Sequence, residues 1–137
     1  MIEINNLTKF SINKRLLMEI GEKILKTERP GEELDLSVVF ANKAKITELN
    51  FIYRGKNEPT DVLSFASDGY SEELAGLPKG LGEIMICPSE IDFDKKDALS
   101  HIFIHGLLHL LGNHHENLKE AKKMQAKEQE YLNFFKK

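Results

Sequence analysis

The sequence predicts an α/β (α+β) chain, a small mixed sheet of about four strands packed with about four helices. Three observations carry this. Leu34, Leu36, Val38 and Phe40 alternate with Asp35, Ser37, Val39 and Ala41, the period-two signature of a strand with one face on a core. Ile12, Leu16, Leu17, Ile20, Ile24 and Leu25 instead recur at helical spacing and make one apolar stripe. Leu99, Ile102, Phe103, Leu107, Leu110 and Leu111 give a third segment apolar surface on most sides, which predicts a centrally placed helix.

Ile2 and Ile4 alternate with Glu3 and Asn5 and predict a short first strand. Ser11 is the expected N-cap of the first helix, and Glu28-Arg29-Pro30-Gly31 ends it and turns the chain into the alternating strand. Ile46, Leu49, Ile52 and Tyr53 predict a short second helix stopped by Gly55. Asp61 to Ala66 reads as a third strand, and the polar, glycine-containing stretch from Ser67 to Gly80 as a loop. Ile84-Met-Ile-Cys87, ended by Pro88, is a compact apolar run expected to be a well-buried fourth strand. The central helix is expected to start between Asp94 and Asp97, where acidic side chains favour the positive helix end. Asn117, followed three residues later by Glu120, resembles a capping box for a final helix. Its stripe is Leu118, Ala121, Met124, Tyr131, Leu132 and Phe135.

With 137 residues, one domain spanning residues 1–137 is expected, large enough for a core without disulfides. The single cysteine, Cys87, excludes an internal disulfide and fits a reducing compartment; its apolar neighbours predict a buried structural thiol. The first residues lack the basic flank and apolar stretch of a signal peptide, and no apolar run approaches membrane-spanning length, so a cytoplasmic location is expected. A net charge of -3 does not advertise a nucleic-acid binder, so any phosphate-binding face has to be local.

The segment with the densest chemistry runs from His105 to His115 and holds four of the five histidines. On a helix, His105 and His109 fall on one face about a turn apart. Gly112 supplies a stop, and the turn it permits can carry a histidine back toward the first two rings. Three imidazoles converging in this way suit zinc, and the lack of an evident fourth ligand is the pattern of a catalytic rather than a structural site. His101, one turn earlier, reads as a group supporting the site or the fold. Of the adjacent pair His114 and His115, only one is expected to face the metal. The plainer alternative is that these histidines are surface or hydrogen-bonded core residues.

The segment HGLLHLLGNHH resembles the signature HGxLHxxGxDH of the YbeY family of bacterial rRNA-maturation endoribonucleases. Leu49-Asn-Phe-Ile-Tyr-Arg54-Gly, Pro59-Thr-Asp-Val-Leu-Ser-Phe65 and Gly82-Glu-Ile-Met-Ile-Cys-Pro88 resemble that family's other blocks, in its order. The resemblance implies a small α/β fold binding one zinc through three histidines, on the central helix and the turn after it. It also implies a single-strand-specific, zinc-dependent endoribonuclease acting in small-subunit ribosomal RNA 3′-end maturation and ribosome quality control. Its partners would be ribosomal RNA and the small ribosomal subunit or its assembly factors. By position the implied ligands are His105, His109 and His115. His114 stands where the family has Asp, replacing a carboxylate that could orient a ligand or a water with a group that supplies no negative charge. Arg54, in a family block, is the candidate catalytic residue, since a guanidinium matches phosphate oxygens and can stabilise charge in a phosphoryl transition state. Its other reading is a helix-terminal arginine on the last carbonyls.

The same histidine spacing occurs in metzincin proteases, HExxHxxGxxH, where the Glu is the general base. Gly106 occupies that place here, which argues against peptide hydrolysis by that route; Glu116 or Glu83 could in principle stand in. Thr60, Asp61 and Ser64 lie in a family block and are equally explained by strand and turn roles. Two further readings follow from the same residues: a ribosome-associated assembly factor with a mainly structural zinc, and a metal-dependent hydrolase of another substrate.

Overall fold

A computed structural model describes residues 1–66, 79–113 and 116–135. Most of the expected Ser67–Gly80 loop, His114 and His115 fall outside the described residues. Within them the chain order is β1 (Ile2–Asn6), α1 (Lys14–Glu28), β2 (Leu34–Phe40), α2 (Lys43–Arg54), β3 (Val62–Ala66), β4 (Lys79–Ile86), a 3-10 turn at Pro88–Glu90, α3 (Ala98–Leu110) and α4 (Leu118–Phe135). The expected mixed sheet with helices is therefore present. The strands lie in the order β1-β2-β4-β3, with β1, β2 and β4 parallel and β3 antiparallel to β4 at one edge.

Strand alternation assigns the two faces of this sheet. Leu34, Leu36, Val38 and Phe40 of β2 and Ile84 and Ile86 of β4 point to one face, where they meet Leu17, Ile20 and Ile24 of α1, Phe103, Ile104, Leu107 and Leu108 of α3, and Met124 and Tyr131 of α4. Met85, Cys87 and Leu63 point to the other face and pack with Ile46 of α2. Each of the fully buried aliphatic side chains contributes about 1.5–3 kcal/mol by leaving water. Cys87 is buried, as expected, with its sulfur 3.3 Å from the Ser89 hydroxyl.

Several element ends differ from expectation. Asn13 rather than Ser11 caps α1, its side chain accepting from the Leu16 N–H. β4 begins at Lys79, five residues before the expected apolar run; its first half becomes strand by pairing with β2 and gives no strand signal of its own, since it carries glycines instead of large apolar side chains. Gly82 has φ 150°, and a Cβ there would lie 2.3 Å from the Phe65 carbonyl oxygen. The β2–β4 register shifts at this point, so Leu81 is the extra residue of a bulge. On α2, Ile52 and Tyr53 are exposed, and the buried residues are Ile46 and Asn50. Leu118 on α4 is likewise exposed, while Glu128 is buried. No helix among the described residues is long and apolar enough to cross a membrane.

Candidate functional site

α3 ends as its sequence directs. Leu111 is the C-cap and Gly112 takes φ 94°; the Gly112 N–H bonds to the His109 carbonyl and the Asn113 N–H to the Leu108 carbonyl. This double bond pattern is a Schellman motif, which only a residue tolerating positive φ closes without strain. Asn113 is then tied twice more, donating from its side chain to the Leu108 carbonyl and accepting from Lys127 Nζ at 3.1 Å. Lys127 also reaches Glu28 at 2.6 Å, and Tyr131 donates its hydroxyl to the same carboxylate at 2.9 Å. The residue preceding His114 is thereby anchored to α1 and α4.

A cleft of about 1080 Å³ runs over the edge strand β3, bounded by α3 on one side and α2 on the other. His105 and His109 line it from α3, Tyr53 and Arg54 from α2, and Thr60, Asp61 and Ser64 from β3 and the turn before it. Glu83 and Glu116 contribute two more carboxylates. Arg54, His105 and His109, widely separated in the chain, thus share one cavity. His115, the third expected ligand, lies outside the described residues. Among the described residues no group of three or more His, Cys, Asp or Glu side chains is placed to hold a metal ion.

His105 does not act alone. Its Nδ1 lies 3.1 Å from Glu128 Oε1, and His101 Nε2 lies 2.9 Å from Glu128 Oε2. The hydrogen bond to Glu128 raises the His105 pKa above its ordinary value, against the opposing effect of burial, and the charges of Glu128 and Asp61 add to the rise. Burial pushes the Glu128 carboxyl upward, but the hydrogen bonds from His105 and His101 outweigh it and leave the pKa below the ordinary carboxylate value. Glu128 is therefore an acceptor toward both rings. With Nδ1 turned to Glu128, Nε2 is the His105 nitrogen suited to a metal, and neutral imidazoles one turn apart fit zinc chemistry.

Glu128 escaped the sequence reading. A glutamate four residues after Met124 and three before Tyr131 sits in the apolar stripe of α4, and a charge inside a buried stripe was the one available signal. Asn50 is the other unforeseen buried polar group; its Nδ2 donates to the Glu58 carbonyl at 2.8 Å and so secures the turn leading to Thr60 and Asp61.

The family model described as endoribonuclease YbeY matches residues 3–136. A curated protein of that name from Staphylococcus saprophyticus is 38% identical over 118 residues, covering 79% of this chain and 76% of its own length. Another, from Syntrophomonas wolfei, is 33% identical over 144 residues, covering 94% and 92%. The solution structure of Thermotoga maritima TM1509 superposes with a TM-score of 0.61 at 32% identity, covering 96% of this chain and 87% of that one.

Proposed function

The chain belongs to the endoribonuclease YbeY family, and from that premise we propose that it is a zinc-dependent endoribonuclease acting in the cytoplasm on single-stranded segments of precursor small-subunit ribosomal RNA, in 3′-end maturation and ribosome quality control. The observation that carries this reading is the shared cleft, in which His105 and His109 line the same cavity as Arg54. The whole chain acts as one domain, and its partners are ribosomal RNA and the small subunit or its assembly factors.

His105 and His109, with His115, would hold one zinc ion. When bound, zinc supplies a Lewis acid toward phosphoryl oxygens and makes water acidic enough to serve as a nucleophile near neutral pH. The remaining work falls to the chain. Arg54 ends α2 at the cleft wall, where its planar fork can take two phosphate oxygens and attract the transition state, richer in charge, more than the ground state. The cleft carboxylates Asp61, Glu83 and Glu116 are the acceptors available for a proton leaving the nucleophile. Such a cavity, open over an edge strand, suits a single strand better than a stiff duplex, whose bases are already paired and stacked.

The test is metal content of the purified chain, paired with cleavage of precursor small-subunit ribosomal RNA before and after chelation and zinc repletion. About one zinc per chain, with cleavage lost on chelation and restored by zinc, is the expected result. Stoichiometric zinc without cleavage would point to an assembly factor or another substrate, and absence of stoichiometric metal in every repletion condition would overturn the three-histidine site.

A further inference from the structure

We propose that Glu128 is a positioning residue for the metal ligand His105, and that His101 in turn holds Glu128. The inference rests on the zinc reading above and extends it to residues on a different helix. Glu128 is 5% exposed, yet it stands on α4, which is polar on most of its remaining surface. A buried carboxylate is costly unless its oxygens are satisfied, and here each oxygen has its own imidazole: Oε1 faces His105 Nδ1 at 3.1 Å and Oε2 faces His101 Nε2 at 2.9 Å.

This arrangement fixes two properties of His105. An ionised carboxylate only accepts, so the His105 proton must sit on Nδ1, which makes Nε2 the nitrogen with the lone pair. The bond also sets the rotation of the ring about its side chain, because Glu128 is itself held at its second oxygen. His101 lies one turn before His105 on α3 and is not among the described residues that line the cleft; its Nε2 reaches Glu128. The three side chains form a chain running from the half-exposed flank of α3, through the α3–α4 contact, to the cleft wall. A carboxylate hydrogen-bonded to the far nitrogen of a ligating imidazole raises the basicity of that ligand and removes its rotational freedom before the metal arrives.

The test compares wild type with Glu128→Gln, Glu128→Ala and His101→Ala. Zinc affinity is measured by competition with a chromogenic chelator, and ligand geometry by the visible spectrum of the cobalt-substituted protein. Circular dichroism and thermal unfolding establish that each variant is folded. Expected is a zinc affinity about 10–100-fold weaker in Glu128→Ala. Glu128→Gln, whose amide oxygen still accepts from Nδ1, should recover part of this loss, and His101→Ala should lose less than Glu128→Ala. The tautomer of His105 is read in metal-free wild type by imidazole nitrogen NMR at a pH where the ring is neutral. A proton on Nδ1 is expected, and one on Nε2 would overturn the proposal even if the Glu128 variants do not fold. Unchanged zinc affinity in a folded Glu128→Ala protein would also overturn it while leaving the zinc reading intact. Wild type that binds no zinc would overturn the zinc reading and, with it, this extension.

Discussion

Ser64 on the edge strand donates its hydroxyl to the main-chain carbonyl of Gly106 on α3, at 3.3 Å. Gly106 leaves little room for a side chain at this contact. A Cβ there would meet Ile84 Cγ2 and Ser64 Oγ at 3.3 Å and Val62 Cγ2 at 3.4 Å, so the glycine lets α3 lie close against β3 and β4. The position that holds the general base in metzincin proteases is therefore pressed against the sheet.

Gly106→Glu should consequently destabilise the chain by more than about 3 kcal/mol, since it combines overpacking with a buried carboxylate. Gly106→Ala should stay within about 1 kcal/mol of wild type, because the gain in helix propensity offsets a tight fit. Urea unfolding of the two variants checks both values, and a stable, folded Gly106→Glu protein would refute this view of the contact.

Gly82→Ala should cost about 2–3 kcal/mol. Its φ of 150° disfavours any side chain, and the new Cβ would collide with the Phe65 carbonyl oxygen, a backbone atom that cannot turn aside. Amide exchange should show the loss first as faster opening of the β3–β4 pairing that forms the cleft floor.

Arg54→Ala should lower kcat/KM for RNA cleavage about 100-fold, the usual size of losing one donor to a charged transition state. Zinc content and thermal midpoint should not change, because Arg54 is exposed and belongs to neither core cluster. Arg54→Lys should recover only part of the rate, keeping the charge without the two-pronged geometry. Equal rates for wild type and Arg54→Ala would remove Arg54 from the chemistry.

Tyr131 sets an alkaline limit on stability. Burial, and then its hydrogen bond to Glu28, push its pKa up to about 12 from the ordinary value of 10. A phenol whose folded pKa exceeds its unfolded one keeps the folded state favoured below pH 10 and withdraws that contribution as the pH rises toward 12. Wild type should lose about 2 kcal/mol across this window relative to Tyr131→Phe, which has no proton to give up. Denaturant midpoints measured through that pH range test it, and parallel curves would show that Tyr131 is not the cause.

Lys127→Ala should cost about 1–2 kcal/mol. It leaves the Glu28 carboxylate, 15% exposed, without its nearest cation and releases Asn113. Lys127→Met, which keeps most of the apolar stem, should be no less damaging if the charge is what counts, and equilibrium unfolding separates the two cases.

How much of this was legible beforehand depended on whether a residue's role showed in its chemistry. β2 was plain because alternation and apolar character agree along its whole length. α3 was equally plain, since its leucines surround a histidine pair and a glycine stop follows. The first half of β4 was not, because Lys79-Gly-Leu-Gly carries turn chemistry and becomes strand only by pairing with β2. In the site, His105, His109 and Arg54 were readable as metal-binding and phosphate-binding types, and the fold brings all three to one cleft. Glu128 was hidden: a glutamate in a helix rich in Lys and Glu reads as solvated surface, and only the docking of α4 on α3 turns it inward. Ser11 misled for a related reason, being a good cap two residues too early, where Asn13 stood ready to do the same task.

The partnership of α3 with α4 also imposes an order in time. Glu128 lies 23 residues after His105 and 27 after His101, so both histidines leave the ribosome before the carboxylate that joins them. At ordinary synthesis speeds that interval is roughly one to five seconds. During it His101 and His105 have neither their shared carboxylate nor the helix that carries it. A nascent chain halted before α4 would carry His105 and His109 without Glu128, so the hydrogen bond that joins His105 to α4 forms only once that helix has emerged.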